Sequence, residues 1–377
     1  MVPSEIIAEI GNGVAGIDAV QWDALNDGNP FTSHAFLCAL EQSGSIGNRT
    51  GWQAAPILLR ESGGALIGAL PAYLKAHSQG EYVFDHHWAD AYEQAGGRYY
   101  PKLQIASPFS PVPGPRLLLK DPAQAAPLLT AAEAAVQQNG LSSAHATFIT
   151  PDQIPLFRDA GWLIRTGSQF HWQNKGYSCF DDFLAALASR KRKAVRKERR
   201  AAQAAVQIKR LNGPEIRSEH WDAFWLFYQD TGMRKWGRPY LTRAFFDLMA
   251  EAMADKLLLI LAYQDGRPVA GALNMIGPDC LYGRYWGCSA DIEFLHFELC
   301  YYQAIAFAIE SGLSRVEAGA QGEHKLARGY EPVPTYSAHY IPNAGFRSAI
   351  ADFLRREDKA MQREMAFLGE MMPFKRG

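Results

Sequence analysis

Two segments of this chain lie over each other without a gap. Leu58–Leu70 reads LLRESGGALIGAL and Leu261–Leu273 reads LAYQDGRPVAGAL. Each is an apolar run, a polar turn carrying glycine (Gly63, Gly266) and a second run ending Gly-Ala-Leu, the pattern an antiparallel hairpin requires. No other feature constrains the fold as much, because a duplicated unit must bury the same faces twice. The flanks repeat in the same order. Trp22, Pro30-Phe31 and the helix-patterned SHAFLCALEQSG precede the first hairpin; Trp221, Pro239-Tyr240 and LTRAFFDLMAEAM precede the second. After the hairpins come YVFDHHWADAY (Tyr82–Tyr92) and LYGRYWGCSAD (Leu281–Asp291), each expected as an aromatic strand.

Each copy thus reads helix, hairpin, aromatic strand, helix, strand. LLTAAEAAVQQNG and AHATFIT supply the last two elements of the first copy, FELCYYQAIAFAIESG and SRVEAGA those of the second, both helices stopping at glycine. The expected class is α/β, with helices packed on mixed sheets. At 377 residues, 48% of them hydrophobic, the chain can fill two cores. The expected bounds are 1–165 and 166–345, followed by an amphipathic helical tail over 346–377. The start, MVPSEIIAEIGNG, lacks the basic and apolar regions of a signal peptide. No run approaches the ~20 apolar residues of a spanning helix. Five cysteines without metal-finger spacing read as reduced thiols. These features point to a cytoplasmic protein without a transmembrane segment.

Charge is concentrated in one place. RKRKAVRKERR, from Arg190 to Arg200, holds eight Lys or Arg against one Glu, while the whole chain has a formal net charge of −1. The remainder is therefore acidic, which argues against a general polyanion binder and for one local anion-binding face. On a helix, Arg192, Arg196 and Arg199 form a stripe with Lys193 beside it, and Phe183, Leu187, Ala194 and Ala201 are expected to face the protein. Such a face suits a phosphate-bearing ligand; a solvated surface helix is the competing reading.

Two further segments mass titratable groups. In LHFELCYYQ, His296 suits proton removal from an amine, a Tyr suits protonation of a leaving group, and Glu298 lies beside Tyr301 and Tyr302. A buried aromatic helix with satisfied polar tips is the alternative. In EAGAQGEHKLARGY a strand runs into a glycine-containing loop with Gln321, Glu323, His324, Lys325 and Arg328. Asp85, His86, His87 and Trp88 are a further candidate surface in the first copy. No zinc-ligand spacing, nucleophile triad, Walker loop or dinucleotide fingerprint occurs, so no metal and no tightly bound cofactor are expected.

Across nearly the whole chain the phrases GEYVFDHHWADAY, YYPKLQIASPFSPVPGPRLL, FHWQNKGY, SRKRKAVRKERR, LYGRYWGC, LHFELCYYQ and EAGAQGEHKLARGY resemble a bacterial family labelled peptidoglycan biosynthesis or recognition. That family is grouped with the GNAT-type N-acyltransferases and is similar to the Fem-type aminoacyl transferases. The resemblance implies a tandem GNAT-like acyltransferase fold with a C-terminal helix, and acyl transfer to an amine on a small molecule or peptidoglycan precursor. A catalytically silent precursor-binding protein is the alternative. In such a sheet the aromatic strand and the next strand part at one end. The implied cleft is lined by Arg284, Tyr285 and Trp286, with His296, Glu298 and His324 as catalytic candidates. Gln321, Lys325, Arg328, Arg192, Lys193 and Arg196 are the expected substrate contacts. His296 or His324 is the better base, since imidazole titrates near ~6.5. Acetyl-CoA enzymes of this type carry a glycine-rich pyrophosphate loop after the aromatic strand. Here CSADIEFLHFE has no glycine, so the donor expected is acyl-CoA or, with added weight, aminoacyl-tRNA.

Overall fold

Both hairpins form, and their irregularities coincide. In this computed structural model, which describes residues 6–236, 239–319 and 322–375, the chain divides into two units. Unit 1 is Met1–Gly167 with Pro334–Arg363, and unit 2 is Ser168–Val333 with Glu364–Gly377. Unit 1 contains β1 (Ile6–Ile10), β2 (Trp52–Ala54), β3 (Ile57–Glu61), β4 (Leu66–Leu70), β5 (Ala72–Lys75), β6 (Lys102–Ile105), β7 (Leu118–Leu119) and β8 (Ala144–Ile149). Then β9 (Leu163–Gln173) carries the chain into unit 2, which holds β10 (Gln207–Asn212), β11 (Leu257–Gln264), β12 (Arg267–Ile276), β13 (Cys280–Cys288) and β14 (Arg315–Glu317). Finally β15 (Glu331–Tyr340) returns to unit 1.

In the repeated hairpins, β3–β4 and β11–β12, the register slips between Leu59 and Arg60 and between Ala262 and Tyr263, which are equivalent positions of the repeat. The pairing nevertheless differs by one residue, Ile57 facing Leu70 but Ile260 facing Ala272. The turns explain it. The second is the two-residue Asp265-Gly266, both at positive φ, as a type I′ turn demands. In the first, Glu61 N–H bonds Ala65 O across a longer turn. Pro71, which has no N–H, divides β4 from β5, so the first hairpin joins β1 and β7 while β5 joins β2 and β6. The equivalent position in unit 2 is Asn274, where β12 stays continuous and β13 bulges against it.

Each unit is closed by an antiparallel strand laid beside its parallel pair, and in unit 1 that strand comes from outside the unit's main stretch of sequence. In unit 1, β6 pairs in parallel with β8, and β8 pairs with Tyr336–Tyr340 of β15. In unit 2, β13 pairs in parallel with β14, and β14 pairs with His171–Gln173 of β9. A unit ending at 165 and another running contiguously over 166–345 therefore do not describe the molecule: 334–363 belongs with the first unit and 364–377 with the second. The expected helices are present at His34–Gln42, Ala125–Gln138, Arg243–Ala252, 295–310 and Ala344–Glu370. One expected strand is not. Tyr82–Tyr92 leads into a helix, His86–Gln94, that packs Trp88 on the apolar cluster of Tyr99, Ile341 and Ile350; the strand equivalent to β13 is β6.

The pleat of unit 1 separates two kinds of core. Ala72, Leu103, Ile105, Ala144, Ala146 and Ala338 turn to an apolar cluster beneath Ala125–Gln138. The alternating residues Tyr73, Lys75, Lys102, Gln104, His145, Thr147, Ser337 and His339 are just as buried, on a polar face. Lys102 Nζ donates to Glu81 at 2.7 Å, Asp85 at 2.5 Å and Ser78 at 2.9 Å, and Asp85 also accepts from Tyr99 Oη at 2.7 Å. Of the Asp85–Trp88 candidates, Asp85 is thus an internal ion-pair partner, and His86 and His87 are exposed.

Candidate functional site

The site begins where β13 and β14 part. Their parallel pairing lasts for Cys280, Leu281 and Tyr282, facing Arg315, Val316 and Glu317. Beyond it β14 leaves through Ala318 and Gly319, and among the described residues Gly283–Cys288 retain only β12 as a strand neighbour. On that side the register passes from Leu273–Tyr285 to Asn274–Gly283, leaving Arg284 as the extra residue of a bulge. A bulge re-aims side chains at the place where a ladder ends. A cavity of about 120 Å³ occupies this seam, lined by Asn274, Gly283, Arg284, Tyr285 and Trp286 from the strands. His296, Cys300 and Tyr301 close it from the helix.

That helix is irregular. It starts after Phe294, held at φ 64°, and passes through a π turn over Glu298–Tyr302 before becoming α-helical at Gln303. A π turn shifts the side chains that follow it relative to an α-helix and is common at functional sites. Tyr301 points into the seam, where its Oη lies 2.8 Å from His324 Nε2. The His296 ring is 5.3 Å from the Tyr301 ring, 5.2 Å from Trp286 and 6.2 Å from the His324 ring, centroid to centroid. His324 itself is exposed, so it connects a buried phenol to solvent. Gly322 permits this: a Cβ there would fall 2.5 Å from the His324 ring, and its φ of 123° is outside the usual range of other residues. Burial pushes the Tyr301 phenol well above its ordinary range. The Lys325 ammonium is pushed down to about 7, by burial first, with Cys300 opposing and Arg284 adding to the fall.

Of the expected site residues, the seam brings together Arg284, Tyr285, Trp286 and His296, with His324 joined through Tyr301. Glu298 is elsewhere. It is fully buried, accepts Arg199 Nε and Nη2 at 3.2 Å, and receives Gln203 and Gln303 at 2.7 Å each. These bonds turn it to the basic helix, and it does not line the cavity. Arg328 is likewise occupied, donating to Glu198 at 2.9 Å and His324 O at 2.8 Å while lying 3.4 Å over the Phe297 ring. Lys325 is buried and donates to Gly319 O at 2.7 Å. Gln321 lies outside the described residues.

The basic segment is a helix, Ser189–Ala205, but its buried side is rotated from the expected one. Val195 and Ala202 face the core and Ala194 is exposed, because Leu187 and an extended Ala188 separate this helix from the one carrying Phe183. Its inner edge, Glu198, Arg199 and Gln203, holds Tyr302, Arg328 and Glu298. Arg190, Lys191, Lys193, Arg196, Lys197 and Arg200 are exposed, whereas Arg192 is half-buried. Sequence reasoning missed Asn274 and Cys300, and placed Tyr301 beside Glu298 rather than in the cleft. A run of aromatic residues signals packing until a π turn separates their directions.

Comparison with known proteins agrees with this architecture. The crystal structure of FemX superposes with a TM-score of 0.56 at 13% identity, covering 89% of this chain and 98% of that one. A conserved protein of unknown function from Bacteroides thetaiotaomicron gives 0.52 at 11% identity, covering 89% and 100%. L-PGS from Bacillus licheniformis gives 0.50 at 10%, covering 93% and 99%. At these identities the likeness shows a shared fold. No curated protein matches the chain. Among the described residues no helix is long and apolar enough to cross a membrane. A family model for peptidoglycan biosynthesis/recognition matches residues 13–376, and the chain belongs to that FemAB-like family.

Proposed function

We propose that the protein is an N-acyltransferase that moves an acyl or aminoacyl group from an activated donor to an amine, with a peptidoglycan precursor as the acceptor. The observation that carries this reading is the Tyr301–His324 hydrogen bond at the open seam, with His296 beside it. The amine nitrogen attacks the donor carbonyl and its proton passes to His296. The bond between carbonyl carbon and leaving group breaks as Tyr301 Oη donates its proton to the departing atom. His324 returns a proton to Tyr301 from solvent. Each transfer is general acid–base chemistry, typically worth about 10²–10⁴-fold. Beyond the bulge, backbone N–H groups of β13 without a partner strand are available to the carbonyl oxygen. The exposed cations of Ser189–Ala205 take the donor's phosphates, whether acyl-CoA or aminoacyl-tRNA; the glycine-free connection after β13 favours the latter.

The test incubates the full chain with aminoacyl-tRNA or acyl-CoA and an amine-bearing peptidoglycan precursor, and follows product by mass spectrometry. Product from the parent, lost in Tyr301→Phe and His296→Gln, is the expected result. A parent that binds the precursor and forms no product with either donor is a recognition protein instead.

A further inference from the structure

Within the seam, a buried amide meets partners at one end only among the described residues. Asn274 is 1% exposed, and its Nδ2 faces two carbonyls, Leu258 O and Ala272 O, each at 3.4 Å. Two acceptors identify that end of the amide as the nitrogen. The other end is Oδ1, which accepts no hydrogen bond among the described residues and belongs to the cavity wall. A buried acceptor left unmet costs about 1–3 kcal/mol, so the site is built for a donor that enters from outside. Gly283 lies directly across the ladder from Asn274. A Cβ there would stand 3.3 Å from Oδ1 and 3.4 Å from Glu317 O, so glycine is what keeps the oxygen uncovered.

Size and charge narrow the ligand. A cavity of about 120 Å³ holds a few waters at ~30 Å³ each, and hence the tip of a substrate rather than a nucleotide or a sugar ring. Arg284 lies in its wall, and a second cation there would be repelled. We infer that Asn274 Oδ1 accepts the N–H of a small, unbranched primary amine bound in its neutral form, that Gly283 keeps that oxygen open to it, and that the small cavity limits branching at the carbon next to the nitrogen. The inference rests on the transfer reading for the amine's role as nucleophile; binding of the amine does not depend on it. The neutral form is the one with a lone pair to attack a carbonyl, so selection against ammonium and readiness for chemistry coincide in one contact.

The experiment titrates the full-length protein with n-propylamine and tert-butylamine between pH 8 and 10.5, reading Trp fluorescence and saturation-transfer NMR. Expected are propylamine binding that tightens as the amine loses its proton, and no binding of tert-butylamine. Asn274→Leu and Gly283→Ala should each weaken propylamine by at least about tenfold, or 1.4 kcal/mol. Asn274→Asp should reverse the pH trend, because a carboxylate prefers ammonium; it and Gly283→Ala keep the test alive if Asn274→Leu does not fold. A parent that ignores propylamine, or folded variants that bind it like the parent, overturns the inference. Amine binding with these losses but no transfer from either donor upholds the inference and removes the transfer reading. Transfer with an amine KM unchanged in the variants does the reverse.

Discussion

Replacing Lys102 by Met should destabilise unit 1 by an amount the structure allows to be worked out. Lys102 is fully buried and is held by Glu81, Asp85 and Ser78. Met fills most of the space but removes the charge, leaving two carboxylates that are 3% and 2% exposed without their principal cation. Breaking a buried ion pair from one side costs about 3–5 kcal/mol. In a unit of this size each kcal/mol lowers Tm by about 2–4 °C, so the midpoint should fall by roughly 6–20 °C. The deficit should also depend on pH, with a definite sign. Burial alone raises the Asp85 carboxyl, but Lys102 and then His145 outweigh it and hold the group well below the usual carboxylate range. Its contribution is therefore constant above the unfolded value near ~3.9. Glu81, raised by burial to about 7 against the pull of Lys102, already loses stability as pH climbs toward that value. Without Lys102 both carboxyls rise, so the variant loses stability from pH 5 to 8 more steeply than the parent. Thermal melts followed by circular dichroism at pH 5 and 8 measure this directly. Lys102→Met/Glu81→Gln/Asp85→Asn should recover part of the loss. A single variant melting within 2 °C of the parent, or a deficit that shrinks as pH rises, would refute the assignment of this cluster as a charge-compensated core.

Three further outcomes follow from the site. Replacing Arg192, Lys193 and Arg196 by Gln should weaken binding of a phosphate-bearing donor and lower the magnitude of its salt slope; an unchanged slope in filter binding returns the helix to a solvated surface. Glu298→Gln should leave the dependence of rate on pH unaltered while loosening the Arg199 contact; a missing acidic limb in the pH–rate profile would make the carboxylate a proton acceptor after all. The folded Lys325 ammonium titrates near 7 against an unfolded value near ~10.4. The native state therefore binds fewer protons in that window and its stability rises with pH across it. Urea midpoints at pH 7 and 10 should show that rise in the parent and not in Lys325→Met.

The hairpins were legible because their turn residues and strand pattern are local, and the helices because each has an apolar stripe, three of them followed by a glycine stop at Gly44, Gly140 and Gly312. Tyr82–Tyr92 misled because its aromatic residues suit a half-buried strand as well as a helix; only the packing of Trp88 against Ile341 and Ile350 decides between them, and that is not local. The seam's histidines, arginine and aromatic residues were visible as residue types. The role of Asn274 was not, since an asparagine inside an apolar strand announces itself only when its two ends are found to have different neighbours. Glu298 shows the converse: a carboxylate one π turn from the cleft was assigned to it by proximity in sequence, and five residues of altered helix sent it to Arg199.

The strand that completes unit 1 sets an order of events during synthesis. Ala144–Ile149 waits at the edge of its sheet for Tyr336–Tyr340, which leaves the ribosome after all of β10–β14 has been made. At ~5–20 residues per second that interval lasts on the order of ten seconds or more. The half that appears first stays incomplete until most of the other has been made. Throughout that time β8 presents an unpaired edge made almost wholly of buried residues, which is a template for pairing with another chain. Fragments that stop short of residue 336 lack the strand that pairs with this edge and carry it exposed.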